Sequence, residues 1–112
     1  MKSKMKHPDY KQLKDTHPNN HSAQGWVSIV GAGPGALDLL TLKAYQTIND
    51  ADIIFYDNLV SDEIVRSFPR KARSFFVGKS KNNHSVPQNK INRLLVEYAK
   101  KGFKVCRLKG GD

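Results

Sequence analysis

Apolar residues are concentrated in four short runs, and segments with helical spacing separate these runs. The runs are WVSIV, ADIIFY, SFFV and FKVCRL, at residues 26–30, 51–56, 74–77 and 103–108. Short apolar runs bounded by glycine, proline or polar turn residues are typical of strands that are buried on both faces. Because helical segments alternate with the runs, the pattern predicts an α/β fold with a mostly parallel open sheet and flanking helices.

Three segments between the runs carry helix signals. Residues 37–48 have apolar residues at helical spacing, which predicts one helix over that stretch. Ser61 starts the second segment, and residues 85–88 have the Ser-x-x-Gln form of a capping box at the start of the third. Gly102 is placed to end the third helix in a left-handed conformation. The stripe predicted to be buried in that helix comprises Ile91, Leu94, Leu95, Tyr98 and Ala99.

The first 25 residues differ in composition from the rest of the chain. They contain five lysines, two aspartates and almost no large apolar residue. Such a segment buries too little surface to offset its ordering entropy, so we expect a disordered basic leader at 1–25 and an α/β domain at 26–112. The leader lacks the apolar core of a signal peptide, and no apolar run is long enough to cross a membrane. With the lone Cys106, these features predict a cytoplasmic protein that does not enter a membrane.

The chain is basic, with 19 Lys and Arg against 10 Asp and Glu and a formal net charge of +9. Such an excess attracts polyanions, and a nucleic acid, a polycarboxylate or a phosphate ligand would each satisfy it; a solubilising charge bias is the simpler alternative. The basic residues are scattered and the predicted strands lack interleaved exposed aromatics, so we expect no binding to nucleic acid.

Residues suited to ligand binding follow each of the four predicted strands. In an open parallel sheet, ligands bind outside the carboxyl ends of the strands. Asp57 can act there as a base, and Lys79 can bind an anion or donate a proton. Each residue also has a purely structural interpretation: Asp57 as the cap of a turn, Lys79 as a solvated surface residue, and the glycines as turns. The four strand exits are residues 31–35, 57–58, 78–79 and 110–112.

The first glycine loop also fits a different class of protein. Gly31-x-Gly33-x-x-Ala36 matches the relaxed dinucleotide fingerprint, and Asp57 stands where a ribose-binding acid belongs. Pro34 is the main local objection, because it removes a backbone donor from a loop that would bind pyrophosphate. A Rossmann-type oxidoreductase domain that binds NAD therefore stays open on these residues alone.

Five blocks of sequence carry a resemblance to a known family. They are VSIVGAGPGALDLLTLKA, ADIIFYDNLVSDEI, FVGKS, HSVPQNKIN and VCRLKGGD. These blocks resemble, in order, the amino-terminal half of the uroporphyrinogen-III C-methyltransferase group of the tetrapyrrole methylase family, which includes the methylase module of siroheme synthases. The resemblance covers all but the leader. It implies the first domain of that fold with the second domain missing, so we expect an amino-terminal fragment.

The resemblance also implies a reaction and assigns residues to it. The methyl donor is S-adenosylmethionine, and the acceptor is uroporphyrinogen III, methylated at C2 and C7 to precorrin-2 on the way to siroheme or cobalamin. Asp57 matches the proton acceptor and Lys79 the proton donor. The residues that match the two donor-binding loops are Gly33, Pro34 and Gly35 in the first, and Gly110, Gly111 and Asp112 in the second.

Further expectations follow from the same resemblance. Lys81 and His84 would bind the carboxylates of the substrate, and no metal is implied. The full-length enzyme is expected to be a homodimer. Ala36 stands where the family usually has Asp, so any role of that carboxylate is lost. By itself the fragment is expected to be weakly active or inactive.

Overall fold

The computed structural model describes residues 25–79 and 84–111. Within these ranges, strands and helices alternate along the chain, as the sequence predicts. The strands are β1 (Trp26–Gly31), β2 (Ile53–Tyr56), β3 (Arg73–Phe76) and β4 (Lys104–Lys109). The helices are α1 (Leu42–Asp50), α2 (Asp62–Arg66) and α3 (Gln88–Lys100), with a 3-10 turn at Leu37–Leu39.

The described strands form one sheet in the order β1-β4-β2-β3, and every neighbouring pair is parallel. The predicted parallel α/β fold is therefore confirmed. β4 lies between β1 and β2, so that Val105 pairs with Val27 on one side and with Ile53 on the other. Chain order alone does not predict this arrangement, in which the first two strands are not neighbours.

Helices cover both faces of the sheet. Alternate residues of a strand point to opposite faces, and both sets are apolar in the central strands. On one face, strand residues such as Phe55 and Val105 pack against α3 through Leu95. On the other face, α1 and α2 cover residues such as Tyr56 and Leu108. The predicted stripe of α3 is confirmed: Ile91, Leu95 and Tyr98 are buried, and Leu94 and Ala99 pack against them.

Two predicted helix starts are wrong, and local bonds explain both differences. The single helix expected over residues 37–48 is divided, because Leu40 is extended and the Thr41 hydroxyl caps α1 by accepting the Ala44 N–H at 3.0 Å. The capping box at residues 85–88 does not form, since α3 begins at Gln88 after Pro87, with no side-chain cap. Proline disfavours a helical conformation in the residue before it, and Val86 instead donates its N–H to the Val77 carbonyl at 3.1 Å.

Three further predictions concern the end of α3, the leader and membrane-spanning segments. Gly102 follows α3 with φ +98°, which confirms it as the terminating residue. All of the predicted leader except Gly25 lies outside the described residues, so the leader stays a prediction. Within residues 25–79 and 84–111, no helix has both the length and the apolar character needed to span a membrane.

β1 is less well covered than the other strands. In the described sheet it has β4 as its neighbour on one side. Val27 and Ile29 share a register with Val105 and Arg107, on the face that α3 covers elsewhere, yet Ile29 is 70% exposed and Val27 38% exposed. β1 therefore carries apolar surface that the described helices leave uncovered.

Candidate functional site

The exits of the four strands lie at one edge of the sheet, because all the strands run in the same direction. Hydrogen bonds join these exits to each other. After β1, the Ala32 N–H donates to the Lys109 carbonyl at the end of β4 at 2.8 Å. After β4, the Gly110 N–H donates to Oδ1 of Asp57, which follows β2, at 3.3 Å. After β3, the Val77 N–H donates to the Tyr56 carbonyl at 2.9 Å.

The first glycine loop depends on its backbone conformation. Gly33 and Gly35, on either side of Pro34, have φ angles of +71° and +119°, which side chains other than glycine rarely allow. The loop continues into an extended residue and a 3-10 turn, so it does not lead directly into α1. The Ser61 hydroxyl, at the start of α2, donates to the Gly35 carbonyl and holds the loop beside the exit of β2.

Asp57 is the most connected side chain at this edge. Its Oδ1 atom accepts the Leu59 N–H at 2.9 Å and the Gly110 N–H at 3.3 Å. Its Oδ2 atom accepts from Nη2 of Arg107 at 3.4 Å. The bond to Leu59 confirms the turn-capping interpretation of Asp57. The bonds to Gly110 and Arg107 add a long-range role that turn chemistry does not explain.

Arg107 is the functional candidate that sequence reasoning missed. It lies on β4 among the buried residues Val105, Cys106 and Leu108, and only 7% of it is exposed. An arginine in a strand that is covered on both faces needs an acidic partner, because an unpaired buried charge is very costly. That rule, applied to the run FKVCRL and the acidic residue after β2, would have pointed to the pair.

Glycines let the loops pack closely on each other. A Cβ atom on Gly110 would lie 2.1 Å from the Leu59 carbonyl carbon, and one on Gly78 would lie 2.7 Å from the Asn58 backbone nitrogen. The loop that follows β2 is therefore packed between the loops that follow β3 and β4. Gly111 has φ +96°, so the second glycine loop also needs a backbone that other residues rarely adopt.

Asp57 and Lys79 line two clefts together. The cleft on the α2 side has a volume of about 260 Å³ and includes Tyr56 and Asp62. The cleft on the α3 side has a volume of about 410 Å³ and includes Arg107. Burial raises the pKa of Tyr56 to about 12, with a smaller contribution from the Asp62 carboxylate.

The remaining predicted site residues are not all brought to these clefts. His84 is exposed and lines neither of them. Lys81 and Asp112 lie outside the described residues, so their predicted roles stay predictions. Residues 25–79 and 84–111 contain no group of His, Cys, Asp and Glu side chains that is arranged to hold a metal ion.

The sheet order argues against the dinucleotide interpretation. In a dinucleotide-binding fold the glycine loop after the first strand and the acid after the second lie on adjacent strands. Here β4 separates β1 from β2, which places Asp57 two strands, or about 10 Å, from the strand that enters the glycine loop. The loop also lacks a long helix directly after it, so no helix N-terminus is available there for pyrophosphate.

Comparisons with known proteins agree on one family. The family profile described as Tetrapyrrole (Corrin/Porphyrin) Methylases matches residues 27–112. Siroheme synthase from Actinobacillus pleuropneumoniae serotype 7 is 54% identical over 94 residues, which is 84% of this chain and 19% of the relative. The chain therefore spans about a fifth of the length of the curated relatives that it matches.

Solved structures with the same fold include methyltransferases. The uroporphyrin-III-C-methyltransferase of Thermus thermophilus aligns with a TM-score of 0.67 and 35% identity, over 79% of this chain and 36% of that one. A structure of the Thermus thermophilus uroporphyrin-III C-methyl transferase complexed with S-adenyl homocysteine aligns with a TM-score of 0.61 and 41% identity, over 79% of this chain and 33% of that one.

Proposed function

This chain belongs to the tetrapyrrole (corrin/porphyrin) methylase family, and we propose that it forms the amino-terminal part of a uroporphyrinogen-III C-methyltransferase. In this reaction S-adenosylmethionine methylates C2 and C7 of uroporphyrinogen III and precorrin-2 is produced. The product is a precursor of siroheme and of cobalamin. The enzyme would act in the cytoplasm, as a homodimer when complete, without binding nucleic acid or membrane.

The convergence of the strand exits carries this proposal. The loop of Gly33 to Gly35, the Asp57 loop, Lys79 and the loop of Gly110 and Gly111 come together at one edge, although they are distant in sequence. Glycines allow a ligand to approach the backbone closely, and a carboxylate and an ammonium group lie beside these loops. Such an edge suits a donor with both an adenosyl group and a charged amino acid.

The chemistry needs positioning more than it needs a protein nucleophile. The C–S bond of the sulfonium breaks as a C–C bond forms at the pyrrole carbon, and S-adenosylhomocysteine leaves with the sulfur electron pair. Holding the two reactants in line can supply about 7–11 kcal/mol of the barrier reduction. The methylated tetrapyrrole then loses a proton, for which we propose Asp57 as the acceptor, with Lys79 as a proton donor; such transfer typically adds ~10²–10⁴-fold.

The positive charge of the chain would bind the methyl acceptor, uroporphyrinogen III, rather than the methyl donor. Uroporphyrinogen III carries eight carboxylates, and the chain has a formal net charge of +9. We propose that Lys79, Lys81 and His84 bind some of these carboxylates. Binding of this kind weakens as salt rises, because surface charges are screened.

We test the donor assignment by NMR titration of the 112-residue chain with S-adenosylhomocysteine and, separately, with NAD⁺. We expect S-adenosylhomocysteine to shift the amide signals of Gly33, Gly35 and Gly111, with weak affinity, and NAD⁺ to leave them unchanged. Pro34→Ala should reduce the affinity, whereas Pro69→Ala, in the turn before β3, should not. Shifts with NAD⁺ and none with S-adenosylhomocysteine would reject the proposal.

We test the acceptor assignment with uroporphyrin III, the stable oxidised form of the substrate. Lys79→Gln should weaken its binding and reduce the salt dependence of the affinity. Lys71→Gln is the matched control, because Lys71 is an exposed lysine before β3, at the other end of the strand. Equal losses for the two variants would assign the binding to general charge and remove Lys79 from the site.

A further inference from the structure

Arg107 is a buried charge at the centre of the sheet. On β4 it pairs in register with Ile29 of β1 and Phe55 of β2, and no other charged residue in the described part of the chain is as well buried. Moving a guanidinium from water to such a place is costly, and the cost is offset only where hydrogen bonds and an opposite charge are well arranged.

The bonds of Arg107 are too few for a residue that serves stability alone. Nη1 donates to the Leu108 carbonyl at 2.8 Å and Nη2 to Oδ2 of Asp57 at 3.4 Å. Nε is buried and has no hydrogen-bond partner. Replacing a buried pair of this kind with apolar residues is often neutral or stabilising, so the pair is better explained by what it orients.

What Arg107 orients is the Asp57 carboxylate. With Oδ2 held by Arg107, Oδ1 faces the N–H groups of Leu59 and Gly110. Arg107 and Gly110 are three residues apart on one segment, and Asp57 joins both of them from the neighbouring strand exit. The carboxylate therefore closes the turn after β4 over the loop that follows β2, and Gly110 packs directly on Leu59 there.

We propose that Arg107 is a positioning residue, which acts through Asp57 to hold the loop of Gly110 and Gly111 in its donor-binding conformation. This inference rests on the proposed function for the identity of the donor. Arg107 is only 7% exposed and contacts Asp57 directly, so its effect on the loop is exerted through that carboxylate. It keeps the loop ordered before the donor arrives, so that binding does not have to order the loop.

Two readouts on the 112-residue chain test the inference. In Arg107→Met, which keeps most of the volume and removes the charge, we expect faster hydrogen exchange at the Gly110 amide and about tenfold weaker binding of S-adenosylhomocysteine. Arg107→Lys keeps the charge without the forked geometry and should recover part of both. Asp57→Asn should have the same effects as Arg107→Met. The double variant should bind S-adenosylhomocysteine no more weakly than the single variant with the lower affinity, because both changes break the same linkage.

The outcomes separate the possible explanations. An Arg107→Met variant that is folded, with unchanged Gly110 exchange and unchanged affinity, would overturn the inference, as would fully additive effects of the two substitutions. If Arg107→Met does not fold, the comparison of Arg107→Lys with Asp57→Asn decides by the same two readouts. If the unaltered chain fails to bind S-adenosylhomocysteine, the proposed function fails, while the exchange of the Gly110 amide still tests the linkage.

Discussion

The loops that follow β1, β2 and β4 lie at one edge of the sheet. Different interactions fix the loops after β2 and β4, on the one hand, and the loop after β1, on the other. A buried ion pair, Asp57 with Arg107, and direct contact of Gly110 with Leu59 join the first two. The exit of β1 relies on backbone conformation and on single bonds, such as the one from Ser61 to Gly35. The first region should therefore be sensitive to added atoms, and the second to changes in allowed backbone angles.

The largest expected effect tests the close packing in the first region. Gly110→Ala would place a Cβ atom 2.1 Å from the Leu59 carbonyl carbon, so the backbone must shift. We expect a loss of about 3 kcal/mol or more in the free energy of unfolding, at the upper end of overpacking effects. Urea denaturation measures it.

Gly31→Ala is the matched control for this change. Gly31 ends β1, its φ is not positive, and a Cβ atom there meets nothing within 4 Å. Its effect should be close to zero or slightly stabilising. Similar losses for Gly110→Ala and Gly31→Ala would contradict the contrast between the two regions.

Gly33→Ala tests the backbone argument for the second region. A side chain at φ +71° is strained although the nearest contact, at 3.7 Å, leaves room for it. We expect a loss of roughly 1–2 kcal/mol in the free energy of unfolding, from conformation alone. Gly33→Asn should lose less, because asparagine tolerates the left-handed region better than alanine. A larger loss for Gly33→Asn than for Gly33→Ala would show that space, and not φ, limits this position.

The buried strand β4 predicts a pH dependence through Cys106. Burial raises the pKa of this thiol from 9.0 to about 12, although the nearby Arg107 opposes the shift. Above pH 9 the unfolded chain loses the thiol proton and the folded chain keeps it, so stability falls as the pH rises toward 12. The slope from one such group is at most about 1.4 kcal/mol per pH unit.

Denaturation at pH 8 and pH 10 measures this dependence. The Cys106→Ala variant should show a smaller loss between the two values than the unaltered chain. The unaltered chain and the variant should both still lose some stability at the higher pH, because the pKa of Tyr56 is also raised to about 12. Identical losses of stability in the variant and the unaltered chain would mean that the Cys106 thiol ionises equally easily in the folded and the unfolded state.

The smallest expected effect concerns the exposed surface of β1. Ile29 is 70% exposed, so Ile29→Ser should change the free energy of unfolding by less than about 0.5 kcal/mol. It should nevertheless reduce self-association measured by light scattering, since an apolar edge strand without charges favours pairing between chains. Leu42→Ser is a control at an equally exposed position on helix α1 rather than on a strand. Equal reductions would show that general apolar exposure drives association.

Local sequence rules predicted single elements and turns, but they did not predict contacts between distant residues. Apolar residues at helical spacing from residue 37 predict an earlier helix start, but the Thr41 side chain caps α1, which begins at Leu42. Asp57 was correctly identified both as a turn cap and as a member of the strand-exit edge. Its partner Arg107 was missed, because the pairing links residues fifty positions apart. The arginine inside the run FKVCRL signals that an acidic partner is needed, but not which one.

The sequence by itself determined the strands, the helices and their alternation, since apolar periodicity, prolines and glycines act within a few residues. It also determined that glycine loops, Asp57 and Lys79 follow strands, and five blocks in order pointed to the family. Only the tertiary structure decided that β4 lies between β1 and β2 and that Arg107 reaches Asp57. Strand order and buried ion pairs depend on which distant segments pack together, and that choice minimises the free energy of the whole chain rather than of any one segment.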